Sequence, residues 1–293
     1  MSVEWPAIAD LLTDGPARIG LVGAPLEAGS VTPGRCDLAP AALRQAAKRI
    51  STYDLETGLE ITAPVHDRGD LPVQGLLPAQ ALPIIREGVS NAVGAHALTL
   101  LIGGNNAVTR PAVHGLRVPL DRVGLLTLDA HFDLRATTEG PRNGNPVRCL
   151  LEDGLPGQNI CQIGLAPFAN TAAMHRDACS AGIGVWSVGA AKRDGVEPVL
   201  QAALARLAHA EVLMVDFDID VIDRSQFPAA PGARSGGMAA DAFFAAARLL
   251  AAEPRVRLVD LTEFDPSLDA TDLSALTAAR WMAEVLAGFA NRP

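Results

Sequence analysis

The chain has 293 residues, 49% of them hydrophobic and 19% charged, with a formal net charge of −9. This is the composition of a globular protein with a large buried core, and one α/β domain over 1–293 accommodates the length. The acidic balance, with no run of like charges, excludes a nucleic-acid groove or an anionic membrane surface as partner.

In chain order, MSVEWPAIADLL carries acids early and no basic segment, so no signal peptide is expected. RIGLVG (18–23) reads as the first strand, followed by the Gly/Pro-rich GSVTPGRC (29–36) and helical patterns at 40–50 and 78–96. Strands LTLLIG (98–103) and VGLLTL (123–128) come next, then the loop EGPRNGNP (139–146). NICQIG (159–164) and IGVWSV (183–188) read as strands, and 196–210 as a helix. The strand VLMVDFD (212–218), the loop FPAAPGARSGG (227–237), a helix over 239–252, the strand RVRLVDL (255–261) and a helix over 273–290 complete the chain. Strand–helix alternation of this kind predicts a three-layer α/β/α fold with a mostly parallel central sheet. The Gly/Pro-rich loops follow strands, where ligands bind in open α/β sheets. No apolar run reaches the roughly 18 residues of a membrane span. Cys36, Cys149, Cys161 and Cys179 form no C-x-x-C pair and read as reduced thiols in a cytoplasmic protein.

Two strand ends are rich in acids. Asp216, Asp218 and Asp220 alternate with apolar residues and share a face if the strand continues, with Asp223 just beyond. Asp129, His131 and Asp133 have the same spacing after VGLLTL. A lone Asp here is usually a helix cap or turn former, and a lone His an interior hydrogen-bonding group. Two such clusters at comparable strand ends point elsewhere. Unpaired buried carboxylates are prohibitive, so a cation is expected. The excess of carboxylate over imidazole favours Mn²⁺ over Zn²⁺, and the number of charges suits more than one ion.

DAHFD (129–133) and DFDID (216–220) resemble the two central metal motifs of the ureohydrolases: arginases, agmatinases and formimidoylglutamases. IGGNNAVTRP (102–111), SGG (235–237) and VDLTEFDP (259–266) extend the resemblance over most of the chain. It implies an arginase-like fold and a binuclear manganese centre that hydrolyses a guanidino or formimino C–N bond. By this resemblance Asp129 and Asp218 bridge both ions, Asp133 completes one site, and His131 with Asp220 completes the other. Asp216 is a surplus acid or a support behind the ligands, and Asp223 a turn former. Glu263 binds the substrate N–H groups, and Asp133 carries the proton to the leaving nitrogen.

Two residues depart from the pattern. Asn106 stands where the family has a ligand histidine, and Asn143, in NGNPVR, where it has a second histidine. An amide oxygen is a weaker donor than imidazole, so the site of Asn106, Asp129, Asp133 and Asp218 is expected to bind Mn²⁺ less tightly. Arg110, Arg135 and Arg148 lie in or just after candidate loops and, with Asn143, are expected to face substrate carboxylates. N-formimino-L-glutamate, with two carboxylates, fits such a mouth, whereas the dication agmatine is repelled. The expected reaction yields L-glutamate and formamide. The alternatives are another ureohydrolase substrate (guanidinobutyrate, agmatine, arginine or hydroxyarginine) and a non-catalytic member with a weakened metal site. A homo-oligomer acting on a small molecule is the expected form.

Overall fold

The computed structural model describes residues 5–292; Met1–Glu4 of the N-terminal segment assessed for a leader, and Pro293, lie outside the described residues. The chain begins with β1 (Leu12–Thr13) and β2 (Ile19–Ala24), then α1 (Ala39–Ala46) and the hairpin β3 (Tyr53–Asp54) and β4 (Leu59–Glu60). β5 (Val65–Asp70), α2 (Pro78–Ala95), β6 (Leu98–Gly103), α3 (Thr109–His114) and β7 (Val123–Leu128) follow. The middle of the chain supplies α4 (Pro146–Asp153), β8 (Ile160–Leu165), α5 (Ala172–Ala181), β9 (Gly184–Ser187), α6 (Val188–Asp194) and α7 (Val196–Arg206). β10 (Val212–Asp218), α8 (Ala240–Ala252), β11 (Val256–Thr262) and α9 (Leu273–Ala290) close it.

Nine strands form one sheet in the order β1-β5-β2-β6-β11-β10-β7-β8-β9, and every pairing within it is parallel. β2, β6, β7, β8 and β10 are buried along their whole length, as their unbroken apolar runs require when helices cover both faces. Along β10 the faces alternate. Val215 and Phe217 join the core layer that holds Phe243 of α8 and Trp281 of α9, whereas Met214 joins the layer that holds Ile85 of α2 and Leu150 of α4. Asp216 and Asp218 therefore share the face of Met214.

β6 and β7 are consecutive in the chain but are separated in the sheet by β11 and β10. Loops leaving β6 and β7 diverge over that gap, which opens a crevice at the carboxyl ends of the central strands.

The structure differs from the sequence reading in four ways. β5 (VHDRGD) has no apolar run to announce it; its Asp67 and Asp70 hold Arg44 of α1 at 2.8 and 2.6 Å. The short helices α3 to α6 lie in segments without a long 3.6-residue pattern. The helix expected over 40–50 ends at Ala46 and tightens into a 3-10 turn, Ala47–Arg49. Finally, neither acidic cluster keeps strand geometry to its end, although Asp216 and Asp218 still lie in β10. β7 ends at Leu128, and β10 ends at Asp218 before a 3-10 turn over Ile219–Val221. Among the described residues no helix is long and apolar enough to cross a membrane.

Phe217 packs edge-on against both Phe243 and Trp281, with centroids 5.4 and 5.5 Å apart, and all three rings are fully buried. Trp281→Ala should therefore destabilise the protein by about 3–5 kcal/mol. The check is a lowered midpoint in urea unfolding with an unchanged slope.

Candidate metal centre

Four adjacent strands, in the order β6-β11-β10-β7, each deliver a polar side chain to the crevice. After β6 the chain turns through Gly103 and Gly104. A side chain at Gly104 would place its Cβ 1.8 Å from the carbonyl oxygen of Leu26, so only glycine allows this turn to press against the loop after β2. Asn105 then caps the following 3-10 turn, accepting the N–H of Ala107 at 3.2 Å, and Asn106 is buried beneath it. After β11, Glu263 takes a left-handed φ of 60° and donates its N–H to the Gly104 carbonyl at 3.0 Å. Its Oε1 accepts the backbone N–H of Asn106 at 2.7 Å and the amide of Asn143 at 2.9 Å. Asn143 in turn accepts the N–H of Val31 at 2.8 Å, tying the loop after β2 to Glu263.

After β7, Asp129 donates its N–H to Ile163 on β8 and accepts the N–H of His131 at 2.6 Å. Asn170 pins the same segment, accepting from Phe132 N–H and donating to the Ala130 carbonyl, both at 2.9 Å. Asp133 has a φ of 53°. Non-glycine residues in this region cost roughly 1–3 kcal/mol and persist only where their surroundings hold them. Both Asp133 and Glu263 adopt it, so two of the five described non-glycine residues with a left-handed φ line the crevice. At the end of β10, Asp218 accepts the N–H of Asp220 at 3.0 Å. The turn after Asp218 swings Asp220 toward His131, whose Nδ1 lies 3.0 Å from Asp220 and 3.4 Å from Asp129.

The electrostatics follow from burial. Desolvation raises Asp133 and Asp218 well above the ordinary carboxylate range, and the neighbouring acids add to it. Burial lifts Asp129 to about 6 and Glu263 to about 7. The imidazole of His131 is the one base among these acids, and Asp220 pushes it up to about 12. In return His131 outweighs the burial of Asp220 and holds that carboxyl below its ordinary value. Asp216 and its register partner Asp260 on β11 are both buried, and burial raises both carboxyls, Asp216 well above its ordinary value with Asp260 adding to it, and Asp260 to about 7.

A divalent cation fits this donor set. Asp129, His131 and Asp220 present one ligand atom each within 4.8 Å of one another. Gly232 leaves the room: a Cβ there would stand 1.9 Å from Asp220 Oδ2 and 3.0 Å from His131 Cε1. Asp133 and Asp218 form a second donor group, brought together by the Asn106 amide, whose nitrogen donates to them at 3.0 and 3.1 Å. Asp216 Oδ1 is buried with no hydrogen-bond partner among the described residues. An excess of buried carboxylate with hard oxygen donors suits Mn²⁺. Asn106 differs from the sequence expectation in one respect, because its nitrogen rather than its oxygen faces the acids.

A cavity of about 100 Å³ opens onto these residues, with Arg135, Asn143 and Arg234 in its wall. Arg110 and Arg148 do not reach it, contrary to the sequence reading. Arg110 is held by Asp153 through two bonds of 2.6 and 2.7 Å, and Arg148 by Asp177 and the Leu134 carbonyl. Each has an acidic partner elsewhere in the fold, which loop position alone does not reveal. Asp223 makes turn contacts, accepting from Ser225 and from Gly236 N–H at 2.6 Å. Sequence reasoning passed over Asp260, Thr109, Asn170, Gly232 and Arg234. Asp260 carried a usable signal, an acid inside the apolar run RVRLVDL.

A three-layer α/β/α sheet with carboxylates and an imidazole gathered at the carboxyl ends of its central strands is the architecture of a metal-dependent enzyme. The chain belongs to the arginase family, whose profile matches residues 17–288. It is 31% identical over 275 residues to the formimidoylglutamase of Halobacterium salinarum, an alignment covering 92% of this chain and 87% of that protein. Its fold matches the crystal structure of formimidoylglutamase from Bacillus subtilis with a TM-score of 0.93 and 25% identity, covering 100% of this chain and 95% of that one. The structure of Trypanosoma cruzi formiminoglutamase with Mn²⁺ has the same fold, with a TM-score of 0.91 at 24% identity over 99% of this chain and 100% of that one.

The raised carboxyls give the metal-free protein a characteristic pH dependence. Asp129 goes from 3.8 to about 6 and Glu263 from 4.5 to about 7, so the native chain binds more protons than the unfolded chain between those values. Their contribution to stability is complete below pH ~4 and is lost as pH rises through about 6–7. Asp220, held low, has the opposite sign: its contribution is present above about pH 4 and is lost as pH falls below that. Mn²⁺ needs these groups ionised and should raise the melting temperature more near pH 8 than near pH 5. Thermal scans with and without Mn²⁺ across that range are the check; an equal shift at both ends would contradict it.

Proposed function

We infer that this chain is a manganese-dependent hydrolase that converts N-formimino-L-glutamate and water to L-glutamate and formamide. We further read residues 1–293 as a single ureohydrolase-like α/β domain. The observation that carries the reaction is the juxtaposition of buried acids with rim arginines. Asp133, Asp218, Asp220, His131 and Glu263 line the floor of a cavity whose wall contains Arg135 and Arg234. The formimidoylglutamases to which this chain is similar support the same substrate.

Asp129, Asp133, Asp218 and Asn106 would hold one ion and Asp129, His131, Asp218 and Asp220 the other. When bound, the ions supply Lewis acidity that makes water nucleophilic near neutral pH. Asp133, deprotonated once a cation is present, accepts the proton of the attacking water and delivers it to the nitrogen that leaves as the amine of glutamate. Glu263, its carboxylate fixed by Asn143 and by the N–H of Asn106, accepts hydrogen bonds from the formimino N–H groups and sets the carbon over the acids. Arg135 and Arg234 pair with the substrate carboxylates as planar forks. Thr32 and Met174 complete the wall of the cavity.

Assays of the Mn²⁺-loaded protein should release formamide from N-formimino-L-glutamate and little or no urea from arginine, agmatine or guanidinobutyrate. Urea release as the dominant activity would replace this reading with another ureohydrolase substrate. Arg135→Ala should raise KM about tenfold or more, the effect of removing a hydrogen bond to a charged group. Arg110→Ala, which breaks the pair with Asp153 outside the cavity, should leave KM unchanged. Equal effects of the two substitutions would place Arg135 outside the substrate site.

A further inference from the structure

Behind the metal-facing residues a short hydrogen-bonded chain runs from Asn106 through Thr109 to Asp260, and the last two have no role described so far. Asn106, Thr109 and Asp260 are all fully buried. Thr109 Oγ1 lies 2.5 Å from Asn106 Oδ1 and 2.9 Å from Asp260 Oδ2. Asp260 Oδ1 is engaged by the N–H of Phe217 at 3.3 Å. A threonine hydroxyl has one proton, so it can donate to only one of its two oxygen neighbours.

With the amide nitrogen of Asn106 between Asp133 and Asp218, the amide stands in for a cation. The hydroxyl proton then goes to Asn106 Oδ1. A half-turn of the terminal amide exchanges oxygen and nitrogen at nearly the same positions. In that state one N–H of the Asn106 amide donates to Thr109 Oγ1, and the Thr109 proton goes to Asp260. The amide oxygen is left facing Asp133 and Asp218, where a cation would be held.

We propose that Thr109 and Asp260 are positioning residues that hold the Asn106 amide with its oxygen toward a divalent cation, so that a weak neutral ligand serves where imidazole would otherwise be used. The proposal rests on the two-ion reading above. Outer hydrogen-bond partners of metal ligands characteristically govern ligand orientation and affinity.

The test is Mn²⁺ titration of metal-free protein, with free ion quantified by its electron paramagnetic resonance signal. Wild type should show two unequal affinities. Thr109→Val, close in shape but without the hydroxyl, should weaken the lower affinity by about tenfold or more and leave the higher one in place. Thr109→Ser, which restores the hydroxyl, should recover most of that loss. Asp260→Asn replaces the proton acceptor facing Thr109 and should weaken the same site. In an Asn106→Ala background Thr109→Val should have no further effect, because it acts through the amide. The inference is overturned if Thr109→Val leaves both affinities unchanged or lowers both alike. It also fails if serine loses as much as valine, or if the valine effect persists without Asn106. A wild type that binds no Mn²⁺ would overturn the two-ion reading itself and this proposal with it.

Discussion

Mutual repulsion among carboxylates held out of water is the constraint around which this molecule is arranged. Asp129, Asp133, Asp216, Asp218, Asp220, Asp260 and Glu263 are all buried, and they converge where β6, β11, β10 and β7 end. Each such group costs several kcal/mol to desolvate when charged and unpaired. The sheet, whose two faces carry large apolar layers, provides the stability that tolerates this. The fine structure of the crevice then limits the cost. His131 supplies one positive charge, the Asn106 amide a second donor, and protonation neutralises much of the remainder.

The same constraint explains why so many of the surrounding residues are braces rather than participants. Asn170 fixes the Asp129–Asp133 segment, Asn143 fixes Glu263, and Gly232 stays small so that Asp220 and His131 can meet. Neutral amides recur here for a reason. They offer donors and acceptors without adding charge to a region that already holds too much of one sign. The strained conformations of Asp133 and Glu263 are sustained by backbone bonds, Arg148 N–H to the Asp133 carbonyl and Glu263 N–H to the Gly104 carbonyl.

Most of the sheet was legible because strands buried on both faces write themselves as predominantly apolar runs, as β6, β7 and the first half of β10 do. β5 was not, because its half-exposed VHDRGD is polar and takes its place through pairing with β2 and through Arg44. Asp129, His131, Asp218 and Asp220 were legible as a group, but the i, i+2 spacing suggested one flat face. The structure instead gathers them by ending each strand and turning the chain. The arginines were least legible. Arg135 lines the cavity, whereas Arg110 and Arg148, equally placed in the sequence, are taken by Asp153 and Asp177 on nearby elements. Long-range ion pairing leaves no local trace in a sequence. Thr109 and Asp260 escaped notice for the same reason: their meaning lies in a contact between residues 151 positions apart.

The strand order also has a consequence for synthesis. β10 and β11, which emerge late, occupy the middle of the sheet, between strands made much earlier. Until they arrive, a nascent chain leaving the ribosome has no partner for the inner edges of β6 and β7, both mostly apolar. Such edges are templates for wrong pairing. The growing polypeptide thus passes through a long interval in which its two halves cannot yet close. Slow translation or scarce chaperone would be felt most in that interval.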